Sequence, residues 1–283
     1  MESAILCRKM KKTYGSFTLD IEDFKVATGT VHGLIGANGS GKTTTIKLLL
    51  GLLFPDSGEL SVLGSSRISN EAETRQHIGF IVDDASVPSL VTANELAAVL
   101  RRCYQHWDQG QYEMYLRQFQ IDPKKQYRKY SKGMKVKLQL AVALSHHASL
   151  LILDEPTSGL DPLARDEIIS ILSEFSKDEN HTILISSHIT SDLEKLCDYV
   201  TFLEEGCIRF TEEKDELLET YRLGIVSHQM VADIDSDSII AKREGSFQVE
   251  LLLRTEDVPS FLESRRLSLE ELIIFLSKGR SAV

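Results

Sequence analysis

The chain has 283 residues, 42% of them hydrophobic, with a formal net charge of −10 at pH 7. That balance suits one large domain with a small appendage and excludes a general nucleic-acid binder, which would show a basic stripe. No apolar run approaches the ~18 residues of a membrane span, the first residues show no basic-then-apolar leader, and the cysteines Cys7, Cys103, Cys197 and Cys207 lack metal or redox spacing; a cytoplasmic setting with reduced thiols is expected.

In chain order, residues 1–29 alternate short apolar runs, Ala4–Cys7 and Phe17–Phe24, around a Lys-Lys-Thr-Tyr-Gly turn, which predicts an antiparallel hairpin. Thr30–Ile35 reads as a buried strand, and Lys42–Leu53 as a helix with Ile46, Leu49, Leu50 and Leu53 on one face. Pro55-Asp56-Ser57-Gly58 is a turn, Leu60–Leu63 a short strand, Glu71–Ile78 a helix and Gly79–Val82 a strand. Thr92–Phe119 has helical spacing throughout, and a further helix is expected over 132–146. Leu150–Leu153 reads as a strand buried on both faces, followed by a helix at Leu163–Glu174, a strand at Thr182–Ile185, a helix from Ser191 and paired strands at Val200–Leu203 and Ile208–Phe210. The order is α/β, with a helical insert at about 90–148. After Tyr221–Gly224 the pattern changes to strands at Ile225–Ala232, Ile239–Ala241 and Phe247–Leu253 and helices at Val258–Arg265 and Ser268–Leu276. That predicts domains at 1–222 and 223–283, the second a small α+β appendage.

Three places carry chemistry. Gly36-Ala37-Asn38-Gly39-Ser40-Gly41-Lys42-Thr43, followed by Thr44, is a G-x-x-x-x-G-K-[ST] loop between a strand and a helix. Backbone N–H groups of such a loop converge on phosphate, Lys42 reaches the β- and γ-phosphates, and the Thr43 hydroxyl ligates Mg²⁺. Asp154 and Glu155 end the apolar strand. A carboxylate there holds Mg²⁺, and the next one out is placed to polarise a water in line with the γ-phosphate. Lys124, Lys125, Arg128, Lys129, Lys132, Lys135 and Lys137 form a short basic patch, read as a solvated face of the helical insert.

The chain resembles the ATP-binding-cassette (ABC) ATPase family over about residues 1–215. The resemblance rests on Tyr14, Gly36–Thr43, Ile78–Asp84, Tyr130-Ser131-Lys132-Gly133-Met134, Leu150–Glu155, Ser158-Gly159-Leu160-Asp161 and Ser187-His188 in that order. It implies a P-loop NTPase core with an antiparallel β subdomain and a helical subdomain, ATP and Mg²⁺ as cofactors, and a head-to-tail pair of cassettes, a homodimer by expectation. In that pair ATP lies between the glycine loop of one copy and Ser131, Lys132, Gly133 and Met134 of the other. It further implies that Tyr14 stacks on adenine, that Glu155, His188 and Lys42 are catalytic, that Asp161 couples the two sites, and that Thr43, Asp83 and Asp154 hold the metal. Two departures stand out: Asp83 where relatives commonly carry Gln, and Ser-Lys-Gly-Met in place of Ser-Gly-Gly-Gln. The latter form resembles the drug, antibiotic and peptide exporter branch, whose integral membrane permease subunits are separate chains. The expected role is an ATPase subunit peripheral to the membrane, with no nucleic-acid partner. The alternative is a soluble cassette acting on ribosomes or DNA.

Overall fold

The computed structural model describes residues 3–66, 71–82 and 87–278. The chain divides into two compact units between Thr211 and Glu212, ahead of the expected boundary after residue 222.

The first unit opens with β1 (Ser3–Tyr14) and β2 (Phe17–Ala27), antiparallel from Tyr14↔Phe17 to Ser3↔Ala27. Both strands are longer than their apolar runs predict, because each pairs along its full length. β3 (Val31–Ile35) is buried at every residue and leads through the glycine loop into α1 (Lys42–Leu49). That helix stops before the expected Leu53, where Gly51 takes φ +67° and turns the chain. β4 (Ser57–Val62), α2 (Ala72–Gln76) and β5 (Ile78–Ile81) follow.

The helical insert is α3 (Ala93–Cys103), α4 (Gln109–Gln118) and α5 (Lys132–Leu144). The continuous helix expected over 92–119 is therefore two helices. Tyr104 is extended, and the Asp108 side chain accepts from Gln111 N to cap a new start. The fully buried Tyr112 then ties α4 to α3 by donating from its hydroxyl to Ala93 O at 3.0 Å. β6 (Leu150–Asp154), α6 (Pro162–Phe175), β7 (Thr182–Ser187), α7 (Thr190–Leu196), β8 (Tyr199–Glu204) and β9 (Cys207–Glu213) complete the α/β pattern.

The strands form one sheet in the order β4-β1-β2-β9-β8-β3-β7-β6-β5. β8, β3, β7, β6 and β5 run parallel, while the β4-β1-β2 edge is antiparallel. Ile46, Leu48 and Leu49 of α1 are fully buried in one cluster with Met10, Leu19, Phe24, Leu34 and Leu150. The helix after the glycine loop is thus anchored by its apolar side, at about 1.5–3 kcal/mol per buried large side chain.

The second unit, taken by itself, holds α8 (Lys214–Thr220), which the sequence reading missed, and a sheet of β10 (Tyr221–Val226), β11 (Ile239–Glu244), β12 (Val249–Arg254) and β13 (Ser264–Arg265). Its order is β11-β12-β10-β13, with antiparallel pairing throughout. β10 starts earlier and stops sooner than the Ile225–Ala232 strand expected. The helix expected at Val258–Arg265 is instead a turn closed by Leu262 N to Pro259 O, followed by β13; a proline supplies no N–H to continue a helix. α9 (Leu269–Lys278) begins with a reciprocal cap, Glu271 N to Ser268 Oγ and Ser268 N to Glu271 Oε2. Arg265 donates to the same carboxylate and, as the largest cause, lowers its pKa to about 2.

Candidate active site

β3, β7 and β6 are neighbours, and their C-terminal ends stand level: Ile35 pairs with Ser187, and Asp154 with Ser186. Everything that follows leaves the sheet at this edge, where ligands of parallel α/β sheets bind.

The loop after β3 is fixed by close packing. A Cβ on Gly36 would lie 2.3 Å from Leu203 O, so no larger residue fits without moving backbone. Gly41, at φ +114°, is the N-cap of α1, and Thr45 Oγ1 donates to its carbonyl at 3.0 Å. Ser40 N donates to Ala37 O at 3.1 Å. Lys42 is buried, and its ammonium donates to Gly36 O at 2.7 Å and Ala37 O at 3.3 Å, 3.4 Å from Glu155 Oε1. Thr44 lies half-buried beside it in the first turn.

Asp154 is buried at the end of β6, and both its oxygens are occupied. Thr43 Oγ1 donates to Oδ2 at 2.7 Å, and Ser186 Oγ to Oδ1 at 2.6 Å. Ser186 Oγ also accepts from Glu155 N at 3.0 Å, so one hydroxyl orients both acids. Sequence reasoning missed Ser186; its signal was the pair of hydroxyls, Ser186 and Ser187, that ends the strand just before His188. Glu155 has φ +50°, a left-handed backbone that non-glycine residues rarely adopt. It turns the side chain toward His188, whose ring nitrogen Nδ1 lies 2.6 Å from Glu155 Oε2. A carboxylate only accepts, so this contact is a hydrogen bond in the tautomer that carries its proton on Nδ1.

Ser40 Oγ is buried with no hydrogen-bond partner within the protein, and the buried Glu155 Oε1 has no hydrogen bond beyond its ion pair with Lys42 at 3.4 Å. Buried polar atoms are normally satisfied, so the cluster is built to receive further polar groups. The Thr43 hydroxyl and the Asp154 carboxylate form an oxygen pair of the kind hard divalent cations take.

The remaining expected residues stand apart. Tyr14, 43% exposed at the end of β1, has the Lys12 ammonium 5.6 Å from its ring centre. Ser131 caps α5, accepting from Met134 N at 3.3 Å. Gly133 lies against Leu160 and Ala164, and Lys132 reaches over Gly159. Asp161 caps α6 through Ala164 N at 3.0 Å. Among the described residues, no hydrogen bond or ion pair joins Tyr14, the Ser131–Met134 turn or Asp161 to the Lys42 cluster. Asp83 lies outside the described residues.

Residues 19–158 match the family described as ABC transporter. The chain is 38% identical to the bacitracin transport ATP-binding protein BcrA of Bacillus licheniformis over 209 residues, 73% of this chain and 68% of that one. It is 28% identical to the ABC transporter ATP-binding protein YtrB of Bacillus subtilis over 282 residues, 94% and 95% of the two chains. A solved ATP-binding subunit of an ABC transporter superposes with a TM-score of 0.67 at 28% identity, covering 76% of this chain and 92% of the other. The glycine loop, the paired acids and the strand-end histidine thus meet in a fold shared with such subunits, and the chain belongs to the ABC transporter family as one of its ATP-binding, ATP-hydrolysing subunits.

Proposed function

We propose that this chain powers export through a separate membrane subunit, working as a pair of like cassettes on the cytoplasmic face, with a peptide or antibiotic-like compound as cargo. The observation that carries the ATPase part is the Lys42–Glu155–His188 arrangement beside Thr43–Asp154. Similarity to a bacitracin transport protein supports the cargo class.

The loop amides of 36–44 and Lys42 bind the phosphates, and Tyr14 packs on the adenine. Mg²⁺ would be held by Thr43 and Asp154 and would supply charge neutralisation at the phosphates; Asp83, the third ligand expected from the sequence, lies outside the described residues. Glu155 accepts the proton of the attacking water, and the His188–Glu155 hydrogen bond sets the carboxylate's direction. Ser131, Lys132, Gly133 and Met134 cap the triphosphate of the second copy from the start of α5, and Asp161 lies at the seam. ATP biases the pair toward its closed form by binding that form more tightly.

A groove of about 390 Å³ between β5 and the helical insert, lined by Phe80, Val82, Leu96, Leu100, Tyr104 and Leu138 among others, fits an apolar helix face of the membrane subunit. Among the described residues no helix is long and apolar enough to cross a membrane, and we assign the transport path to that partner. The test is co-purification of tagged Glu155→Gln protein from detergent-solubilised membranes with ATP. A stoichiometric multi-span subunit supports the exporter. Recovery with ribosomes or nucleic acid instead overturns it and leaves the ATPase.

A further inference from the structure

Away from the Lys42 cluster, two buried charged atoms face one another with an unfinished contact. Arg165 Nε on α6 and Asp192 Oδ2 on α7 are each buried without a hydrogen-bond partner, 3.9 Å apart. The Asp192 side chain is only 4% exposed. A carboxylate so placed is stabilised by a nearby cation, and a charge-assisted hydrogen bond would bring the atoms to about 2.8 Å.

Their places in the chain give the pair its meaning. Arg165 N donates to Asp161 O at 3.0 Å, so Arg165 sits one turn after the residue that caps α6. Asp192 N donates to Ile189 O at 3.2 Å, in the first turn after His188. The contact therefore bridges the helix that starts at Asp161 to the helix that starts just past His188. A second, exposed pair joins the same helices further along, Lys195 to Asp166 at 3.6 Å. Packing alone does not call for a carboxylate as deeply buried as that of Asp192, since an apolar residue of similar size would hold the helices together as well or better, while the Arg165 side chain stays 32% exposed. The pair lies about 1 Å beyond hydrogen-bonding distance at the end of the helices nearest the site, so closing it would couple a rotation of α6 to the start of α7.

We infer that Arg165 and Asp192 are positioning residues, a strut through which a contact made at Asp161 sets His188 against Glu155. This rests on the roles proposed above for Asp161, Glu155 and His188. Steady-state ATP hydrolysis by the full chain, against ATP concentration, tests it in Asp192→Asn, Arg165→Gln and the exchanged double variant Arg165→Asp/Asp192→Arg. Each single change lowers kcat about tenfold with KM for ATP within about twofold, and the exchange restores much of the loss. Unchanged kcat per folded molecule, or losses that multiply with no recovery, overturns the inference. Should the singles fail to fold, Arg165→Lys keeps the charge and shortens the reach. Its kcat falls at an unchanged melting temperature if the pair positions His188, and stays parental if the pair only holds the helices together. Full turnover by Glu155→Gln, assayed in parallel, would remove the site reading itself, whatever the pair does.

Discussion

Glu155 Oε2 is held twice by one residue: His188 Nδ1 lies at 2.6 Å and the His188 backbone N–H at 3.3 Å. The other oxygen, Oε1, is buried beside the Lys42 ammonium. Together with the left-handed backbone at Glu155, this fixes the carboxylate before any substrate arrives. Such strain persists where the surroundings over-determine it, and it concentrates at active sites.

Glu155→Gln keeps the shape and removes the carboxylate proposed as the base. ATP binding is expected to persist while turnover drops by about 10²–10⁴-fold, with an ATP-bound dimer accumulating. Phosphate release and size-exclusion chromatography with ATP check both; parental turnover would take the catalytic role from Glu155.

Thr43→Val deletes the hydroxyl that donates to Asp154 Oδ2 at 2.7 Å but leaves Ser186 on the other oxygen. The Mg²⁺ concentration for half-maximal hydrolysis is expected to rise by about tenfold, the scale of losing one ligand or its orienting partner. A magnesium titration at fixed ATP reads this; an unshifted midpoint would place the metal elsewhere.

His32 and His146 supply a pH dependence. Burial lowers each from 6.5 to about 4. Between those values the unfolded chain takes up protons that the folded chain refuses. Their contribution is therefore complete above about pH 6.5 and is lost as pH falls toward 4, by on the order of 3 kcal/mol each. The melting temperature should fall steeply across that window, and His32→Gln/His146→Gln should flatten the slope in calorimetry. An unchanged slope would assign acid sensitivity to other groups.

Leu96→Glu puts a charge into the apolar groove and touches none of the nucleotide residues. The isolated chain is expected to hydrolyse ATP within about twofold of the parent, because surface changes seldom reach a distant site. Recovery of the membrane subunit on tagged protein should be lost. Undiminished recovery would place the docking surface elsewhere.

Much of this was legible because phosphate chemistry is written locally. Gly36–Thr43, the run ending at Asp154-Glu155 and the strand before His188 each announce themselves within a few residues, and the parallel sheet brings them together. What escaped depends on partners distant in sequence or on short breaks. Ser186 matters because Asp154 and Glu155 lie beside it across the sheet, which no pattern within β7 states. The helix over 92–119 breaks because Asp108 offers a cap in the middle of a continuing apolar period. In the second unit, Pro259 outweighed the helical spacing of its neighbours.

The level ends of β3, β7 and β6 carry one more implication. Side chains alternate faces along a strand, so gaining or losing one residue within any of these three would turn its terminal groups to the opposite face and lift them out of line. Exchanging one buried aliphatic for another inside the strands leaves that alignment untouched. Chain length between loop and turn, more than the identity of the residues filling it, is the quantity this sheet cannot let drift.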